Sequence, residues 1–587
     1  MRMSKQNCLG QRLGERACLC AEHKHPARTL VFSLGILASL FMLFCFTGSA
    51  QRTPQGPVAT AASPNATLIA ATESGAIARP TGVPARAARV GWSIGRGRAQ
   101  QDPVGIMTAR NAALVAATND VLKETSDIRQ LSILHPVQSS TQSRAEIERM
   151  VIKNLEQDTT PAEMHADEIM LERLGLVPED FQYRALIIRL LTEQVAGYYD
   201  PKTQQFHLAD WIDLDGQKPI MAHELTHALQ DQHFDLRRFD HWPKGNSDAE
   251  LAVHALIEGD ATLVMAQYIS NNPLRALAFL KSLGTTGMAT AELQKSPRAV
   301  RETLLFPYQE GLGWTRTLYR EGGWDRVSKA FNQLPQSTEQ ILHSEKYFAH
   351  EAPVKVTLPD IARLLNSSER AAVRSVPPAL AGGSSLRSMI SGDALTRSAG
   401  VRDHQRGSPA GALGSPAPVR RSLLSPHHSL LFSPTSDPRS PTPTSWRRLA
   451  YDVEGEWGFY LILDQFLKSS AESRRAAAGW GGDRFEIYEG PNGQACFISL
   501  SVWDTENDAR EFFDAYVKRS QIRYPEATTL SPGDGAAPQS ELKVPNAFTW
   551  KTNDGMVRMD LRGSRVVIIE SGSDLGEIGS LLKALER

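Results

Sequence analysis

The chain has 587 residues, of which 41% are apolar, and its 64 Lys and Arg nearly balance its 65 Asp and Glu. A chain of this length has room for several domains with ordinary hydrophobic cores. The balanced charge, with a pI near 7.0, excludes a chain-wide field that would attract nucleic acid or an anionic membrane surface.

The N-terminus has the pattern of an export signal. Positions 1–29 carry six Lys and Arg against two Glu, an uncharged apolar run covers 30–46, and small residues at 48–50 match a signal-peptidase site. The run is long for a signal core and short for a membrane span, so residues 1–50 are predicted to be a signal peptide or an uncleaved membrane anchor. The alternative is an intracellular chain with a buried helix at 30–46, but the run has no amphipathic pattern.

The next segments separate a linker from ordered elements. Residues 51–106 are rich in Ala, Pro, Ser and Thr, and they are predicted to be a disordered linker. Apolar periodicity beyond the linker predicts helices at 111–123, 143–157, 161–174 and 178–195, and short strands at 128–134 and 205–208.

An H-E-x-x-H motif lies at residues 223–227, beside a stripe of apolar residues. Residues four apart lie on one face of a helix, so His223 and His227 can bind the same metal ion. Glu224 is about 100° further round the helix, where its carboxylate could take a proton from a metal-bound water. Pro219 stands where helices tend to begin. The alternative is a chance occurrence of the motif, which a chain of this length can contain.

Two residues compete to be the third ligand that a catalytic zinc site requires. His233 has the metzincin spacing, but Gln230 replaces the glycine that makes the metzincin turn. If the helix continues, His233 lies about 9 Å along the axis from His227 and cannot reach the same ion. Glu258 lies in an apolar stretch of a second predicted helix, where binding to zinc would compensate its buried charge. Glu258 is therefore predicted to be the ligand, and the alternative is a Glu paired with a basic residue.

Downstream, residues 311–331 are predicted to form two helices separated by a turn at Gly322 and Gly323, and Ser337 is predicted to begin a short helix. Residues 366–445 are rich in Ser, Pro, Ala, Gly and Arg, which predicts a disordered insertion. A helix at 452–469 follows. The closing α+β module is predicted to have strands at 485–489, 495–502, 546–551, 556–562 and 565–571, and helices at 505–519 and 574–585. Cys496, within this module, is predicted to be a buried thiol.

The two histidines with a following Glu on a second helix resemble the gluzincin branch of zinc metallopeptidases, and within it a set of exported bacterial proteins. The resemblance covers roughly 128–359 and 446–587, with shared stretches at 197–201, 222–232, 258–262, 306–308, 337–343 and 479–484. It implies an α+β fold: a mainly helical zincin-like catalytic domain at 107–365 with a small edge sheet, then a small C-terminal α+β module within 446–587. In zincins an edge strand before the motif helix lines the cleft and can pair with an extended peptide, and the predicted strand at 205–208 stands at this place in the sequence.

The resemblance also implies Zn²⁺ bound by His223, His227 and Glu258, with Glu224 as the general base. Better-known gluzincins often have an Asp four residues after the ligand Glu, where it orients the first histidine; Thr262 stands there in this chain. A group that stabilises the oxyanion is also expected. Tyr308 and His343 are candidates, although a core-edge Tyr and a turn His are the simpler interpretation.

The predicted function is an exported zinc metallopeptidase that hydrolyses peptide bonds of a protein or peptide substrate through a zinc-bound water activated by Glu224. Two alternatives stay open. The first is a non-catalytic, zinc-stabilised envelope protein that binds partners through the cleft and the C-terminal module. The second is a zincin-like fold that has lost its metal.

Overall fold

The computed structural model describes residues 103–366, 444–530, 546–572 and 578–585, apart from positions 180, 212, 240–241, 243–244 and 286–291. The predicted signal segment, nearly all of the predicted linker and nearly all of the predicted insertion lie outside the described residues. The described part has the α+β composition that was predicted. Among the helices in these ranges, none is long and apolar enough to cross a membrane.

Four helices open the fold: α1 Pro103–Arg129, α2 Arg144–Asp158, α3 Pro161–Arg173 and α4 Tyr183–Gln194. Ser143 and Thr160 begin α2 and α3 with capping boxes, in which the cap side chain and the Glu three residues later satisfy each other's backbone N–H groups. These local signals explain why both predicted starts are confirmed. Helix α4 begins later than predicted, at Tyr183, because the backbone N–H of this residue is satisfied by the Glu168 carboxylate of α3 at 2.9 Å.

A small sheet of order β1-β3-β2 follows, with strands β1 Gln138–Gln142, β2 Gly197–Asp200 and β3 Gln205–Ala209. Strand β1 runs parallel to β3, and β2 runs antiparallel to it. The predicted strand at 128–134 is wrong, since α1 continues to Arg129, whose buried guanidinium pairs with Asp260. The strand predicted at 205–208 is confirmed as β3, which ends one residue later, but it is the central strand, and β1 and β2 form the edges.

Helices α5 Leu214–Phe234, α6 Ser247–Ser270, α7 Pro273–Thr285 and α8 Arg298–Ala330 follow, and the short helices α9 Thr338–Leu342 and α10 Ser344–Phe348 come after them. Asp213 caps α5 and Asn246 caps α6, each accepting a hydrogen bond from a backbone N–H in the first turn. Pro219 lies inside α5, because the cap at Asp213 starts the helix earlier than predicted. Helix α8 is interrupted at Gly322 and Gly323 by non-helical backbone angles, as predicted.

Helices α6 and α8 pack in backbone contact at two glycines. A Cβ atom on Gly259 would lie 2.3 Å from the carbonyl oxygen of Gly311, and a Cβ atom on Gly311 would lie 2.3 Å from the carbonyl oxygen of Ala255. Backbone atoms cannot rotate away as a flexible side chain can, so both positions require glycine. This contact sets the position of α6 beside α8.

The C-terminal part is a seven-stranded antiparallel sheet of order β4-β5-β6-β10-β9-β8-β7. Its strands are β4 Arg447–Asp452, β5 Trp480–Glu489, β6 Ala495–Trp503, β7 Thr528–Thr529, β8 Ala547–Thr552, β9 Gly555–Arg562 and β10 Arg565–Ser571. The five predicted strands are confirmed, with β5 starting earlier, whereas β4 and β7 were missed. The predicted helix at 452–469 is observed as α11 Gly455–Leu467. Cys496 is fully buried in β6 as predicted, and burial raises the pKa of its thiol to about 12.

Three further helices belong to this part: α12 Ser470–Ala477, α13 Glu506–Arg523 and α14 Ile578–Leu585. Helices α13 and α14 pack on the sheet, whereas α12 packs on α11 and α13. Helix α13 also holds the C-terminal part against α3. Arg519 donates a hydrogen bond to the carbonyl of Leu174 and Arg523 donates one to the carbonyl of Arg173, and both arginines pair with the buried Glu570. Cations near the last carbonyls of a helix are favourable, so these arginines stabilise the junction between the two parts.

Buried carboxylates gather at the same junction. Asp248, in the first turn of α6, accepts hydrogen bonds from the backbone N–H and the hydroxyl of Thr338, the first residue of α9 (Thr338–Leu342). Asp483 accepts hydrogen bonds from the backbone N–H groups of Glu454 and Gly455, each at 3.0 Å. Burial raises the pKa of Asp248 to about 7 and that of Asp483 to about 6. Both carboxyl groups therefore keep their protons to a higher pH in the folded protein than in the unfolded chain.

We expect the protein to be more stable at about pH 5 than at about pH 8. The pKa of Asp248 is higher in the fold than its ordinary value of 3.8, so its contribution is fully present below about pH 4 and is lost as the pH rises through about 7. Asp483 and Glu456 repel the Asp248 carboxylate and act in the same direction. Asp248→Asn should reduce the fall in Tm between these pH values by a few degrees, since about 1 kcal/mol corresponds to roughly 2–4 °C.

Thermal unfolding followed across this pH range tests the expectation. Asp215→Asn is the matched control, because Asp215 lies in the first turn of α5 with its side chain 76% exposed. Its Tm profile should run parallel to that of the wild-type chain. An Asp248→Asn profile with the wild-type slope would exclude Asp248 as the titrating group.

Candidate metal centre

The structure brings His223, His227 and Glu258 together between α5 and α6. His223 Nε2 lies 3.0 Å from Glu258 Oε2 and 3.2 Å from His227 Nε2, and His227 Nε2 lies 3.4 Å from the same carboxylate oxygen. The three side chains are only 0–3% exposed. Within the described ranges, this is the one group of three His, Cys, Asp or Glu side chains whose ligand atoms lie close enough together to hold a metal ion.

The triangle formed by these atoms fits one face of a tetrahedral zinc site. Zinc binds imidazole nitrogen and carboxylate oxygen at about 2.0–2.2 Å, so two such ligands are roughly 3.3–3.6 Å apart. The observed separations of 3.0, 3.2 and 3.4 Å are at or slightly below this range. Two imidazoles with one carboxylate are also the ligand set of a known class of catalytic zinc site. The residues present therefore fit zinc.

The three groups also interact through charge. Burial alone would lower the pKa of His227, but the neighbouring Glu258 carboxylate raises it above the usual range of an imidazole. Burial alone would raise the pKa of Glu258, but the two imidazoles keep it below the usual range of a carboxyl group. Burial lowers the pKa of His223. A metal ion bound to all three groups would thus replace the proton that His227 and Glu258 hold between them.

Glu224 is fully buried next to these residues, and its charge acts on His227. Its Oε2 accepts a hydrogen bond from the backbone N–H of Tyr199 in β2 at 3.0 Å. The phenol of Tyr199 donates to Asp231 Oδ2 at 2.9 Å, two turns further along α5. Tyr199 therefore ties the edge strand β2 to α5 and holds the Glu224 carboxylate in place. Strand β2 was not predicted, although the pair of strand-forming tyrosines at 198 and 199 could have indicated it.

Tyr308 and His343, the two candidates for oxyanion stabilisation, lie in different surroundings. The Tyr308 ring is buried with its centre 6.1 Å from that of His223, so Tyr308 borders the site. His343 Nε2 lies 3.0 Å from a carboxylate oxygen of Glu456, at the start of α11. The contacts of His343 therefore belong to the junction between the two parts of the fold, which agrees with the simpler interpretation.

The structure also shows the surroundings of His233, which was rejected as the third ligand, and of Thr262, which stands at the position of the gluzincin Asp. Helix α5 continues through position 230 to Phe234, so it carries His233 away from the site; His233 Nε2 faces the carbonyl of Ser132 at 2.7 Å. The hydroxyl of Thr262 is buried and has no hydrogen-bond partner among the described residues, and the same is true of His223 Nδ1. The structure therefore shows no hydrogen bond that orients His223 from the position of the gluzincin Asp.

Three buried residues behind His227 were missed as parts of the site: Arg129, Gln230 and Asp260. Gln230 was considered only as a replacement for the metzincin glycine. Its position three residues after His227 places both side chains on one helical face and could have indicated the contact. Asp260 and Arg129 had no comparable signal, because their pairing joins α6 to the distant α1.

Comparison with known proteins gives a match for the C-terminal part of the chain. Residues 444–579 match the family DUF8575, a domain of unknown function. This segment contains the seven-stranded sheet. The three metal-site residues and Glu224 lie outside this segment. No curated protein and no solved structure matches the chain.

Proposed function

We propose that the chain is an exported zinc-dependent peptidase of the gluzincin type, with a zincin-like catalytic part. The observation that carries the proposal is the buried triangle of His223, His227 and Glu258, with the carboxylate of Glu224 beside it. Structural zinc sites are closed by four protein ligands, whereas catalytic sites use three and keep one position open. Three ligands with an adjacent carboxylate favour the catalytic arrangement.

In this proposal His223, His227 and Glu258 hold the ion. Zinc, when bound, supplies a Lewis acid that polarises a peptide carbonyl and acidifies water. Glu224 takes a proton from the attacking water and returns it to the leaving amine. The N–H group of Tyr199 donates to the Glu224 carboxylate and thereby positions it for this proton transfer.

One observation favours a second function. The ligands are 0–3% exposed, so a peptide substrate requires the site to open. A non-catalytic, zinc-stabilised envelope protein needs no such opening. In that case the ion would hold α5 against α6, and partners would bind through the cleft and the C-terminal module.

We expect Glu224→Gln to retain zinc and to lose hydrolysis by about 10²–10⁴-fold, the usual contribution of a general base. The full chain is loaded with zinc and incubated with an unfolded protein and a peptide library, with and without a chelator. Asp215→Asn is the control, since it removes an exposed carboxylate from the same helix. Its activity should equal that of the wild type.

The outcomes separate the two functions. Hydrolysis that stops with chelator and with Glu224→Gln supports the peptidase. Hydrolysis that persists in Glu224→Gln removes the assigned base. A wild-type chain that binds zinc but cleaves no substrate supports the non-catalytic function, and a wild-type chain that binds no zinc excludes both.

A further inference from the structure

A row of buried, hydrogen-bonded polar side chains runs from the metal site to α1. His227 Nδ1 lies 2.8 Å from Gln230 Oε1. Gln230 Nε2 donates to the carbonyl of Ile257 at 3.0 Å and to Asp260 Oδ2 at 2.9 Å. Asp260 Oδ1 accepts a hydrogen bond from Arg129 Nε at 2.6 Å. The contacts therefore connect three helices, α5, α6 and α1.

The partners of Gln230 leave its amide one orientation. A backbone carbonyl and a carboxylate oxygen can only accept hydrogen bonds, so both contacts of the amide with α6 require its NH₂ group. The amide oxygen then faces His227, and the Nδ1 atom of that imidazole must be the donor. When Nδ1 carries the proton in the neutral ring, the lone pair on Nε2 is free to bind a metal.

Arg129 lies at the far end of this row of side chains and contacts α8. Its Nη1 donates to Ser328 Oγ at 3.0 Å, and its guanidinium carbon lies 4.7 Å from the centre of the Trp324 ring. Both residues belong to α8. An unpaired carboxylate is costly at this depth, and the Arg129 cation compensates Asp260 through a charge-assisted hydrogen bond. The orientation of Gln230 thus depends on packing between α1, α6 and α8.

The two histidines of the site differ in the hydrogen-bond partners of their Nδ1 atoms. Nδ1 of His223 is buried with no hydrogen-bond partner in the described ranges, whereas Nδ1 of His227 has the Gln230 amide. An outer contact of this kind fixes the ring orientation and the protonation of a ligand, and its loss typically lowers metal affinity about 10–100-fold.

We propose that Gln230, Asp260 and Arg129 are positioning residues that direct His227 Nε2 toward His223 and Glu258 and thereby set the zinc affinity of the site. The proposal rests on the zinc site of the proposed function, but it is independent of peptide hydrolysis. Its test is therefore zinc binding and the state of the His227 ring.

The experiment measures the zinc affinity of the full chain by competition with a chromogenic chelator. Gln230→Leu removes the acceptor for His227 without burying a new charge, so we expect about 10–100-fold weaker binding. The double variant Gln230→Glu/Asp260→Asn exchanges the amide and the carboxylate and leaves the net charge beside Arg129 unchanged. The introduced carboxylate can accept the hydrogen bond from His227 Nδ1, so affinity should exceed that of Gln230→Leu. It should stay below the wild-type value, because the carbonyl of Ile257 loses its donor. Thr262→Val is the matched control in α6, and its affinity should be unchanged because the Thr262 hydroxyl has no partner in the described ranges.

NMR of the zinc-loaded chain gives a second readout. The His227 Nδ1–H signal should exchange slowly with solvent in the wild type and the double variant, and faster in Gln230→Leu. A merely structural role would lower Tm and leave both the affinity and this signal unchanged. If Gln230→Leu does not fold, Gln230→Asn carries the same expectation, because it shortens the reach of the amide by one methylene group.

Wild-type affinity in the folded Gln230 single variant would overturn the proposal. A double variant that binds zinc no better than the single variant would also overturn it. If the wild-type chain binds zinc but cleaves no peptide, the peptidase function is contradicted. The zinc affinities of the variants then still test and support the positioning role. Wild-type chain without zinc affinity contradicts both.

Discussion

Glu258→Gln is expected to lower zinc affinity by more than about 100-fold, so that the purified chain no longer carries stoichiometric metal. Loss of an outer contact already costs about 10–100-fold, and this change replaces one of three ligand atoms. A neutral amide oxygen is a poor substitute for a carboxylate at a divalent ion. Gln has nearly the volume of Glu, so the packing around α6 should be retained.

The measurement is zinc content after dialysis together with the dissociation constant from calorimetry. Glu250→Gln is the matched control: Glu250 lies in the same helix, its side chain is 18% exposed, and its carboxylate oxygen lies 3.9 Å from His254 Nε2. Its zinc content should equal that of the wild type. Stoichiometric zinc in Glu258→Gln with undiminished affinity would contradict the ligand assignment.

Gly311→Ala is expected to destabilise the fold by about 1–3 kcal/mol, the usual range for overpacking, and to weaken zinc binding. The added Cβ would lie 2.3 Å from the carbonyl oxygen of Ala255. This carbonyl belongs to the turn of α6 that precedes Glu258. Helices α6 and α8 would have to separate to relieve the contact, which would displace Glu258 from the histidine pair on α5.

Gly313→Ala is the control within the same helix, since a Cβ added there would have no heavy atom of the described residues within 4 Å beyond its own stretch of helix. It should stabilise the protein by about 0.5–1 kcal/mol, because alanine has the higher helix propensity. Thermal unfolding and zinc affinity are compared for both variants. Equal effects at the two positions would show that the contact between Gly311 and Ala255 does not set the helix separation.

Features that depend on short stretches of chain could be predicted from the sequence. The spacing of His223 and His227 places them on one helical face. Ser143 and Thr160 each precede a Glu by three residues, a capping-box pattern that marks the start of a helix. Alternating apolar residues predicted the main strands of the C-terminal sheet for the same reason, since each pattern reports which side of one element is buried. Glu258 was selected because a carboxylate in an apolar helix requires compensation.

The tertiary structure decided everything that depends on which elements meet. The ion pair of Arg129 with Asp260 joins residues 131 positions apart, and it explains both the wrongly predicted strand at 128–134 and the contact behind His227. Tyr199 holds Glu224 through its backbone N–H group, which carries no residue-type signal. Local periodicity records how one helix or strand is buried, whereas the partner across the interface is selected by packing of the whole chain. For that reason the sequence by itself determined the candidate ligands, and only the tertiary structure determined the residues that hold them.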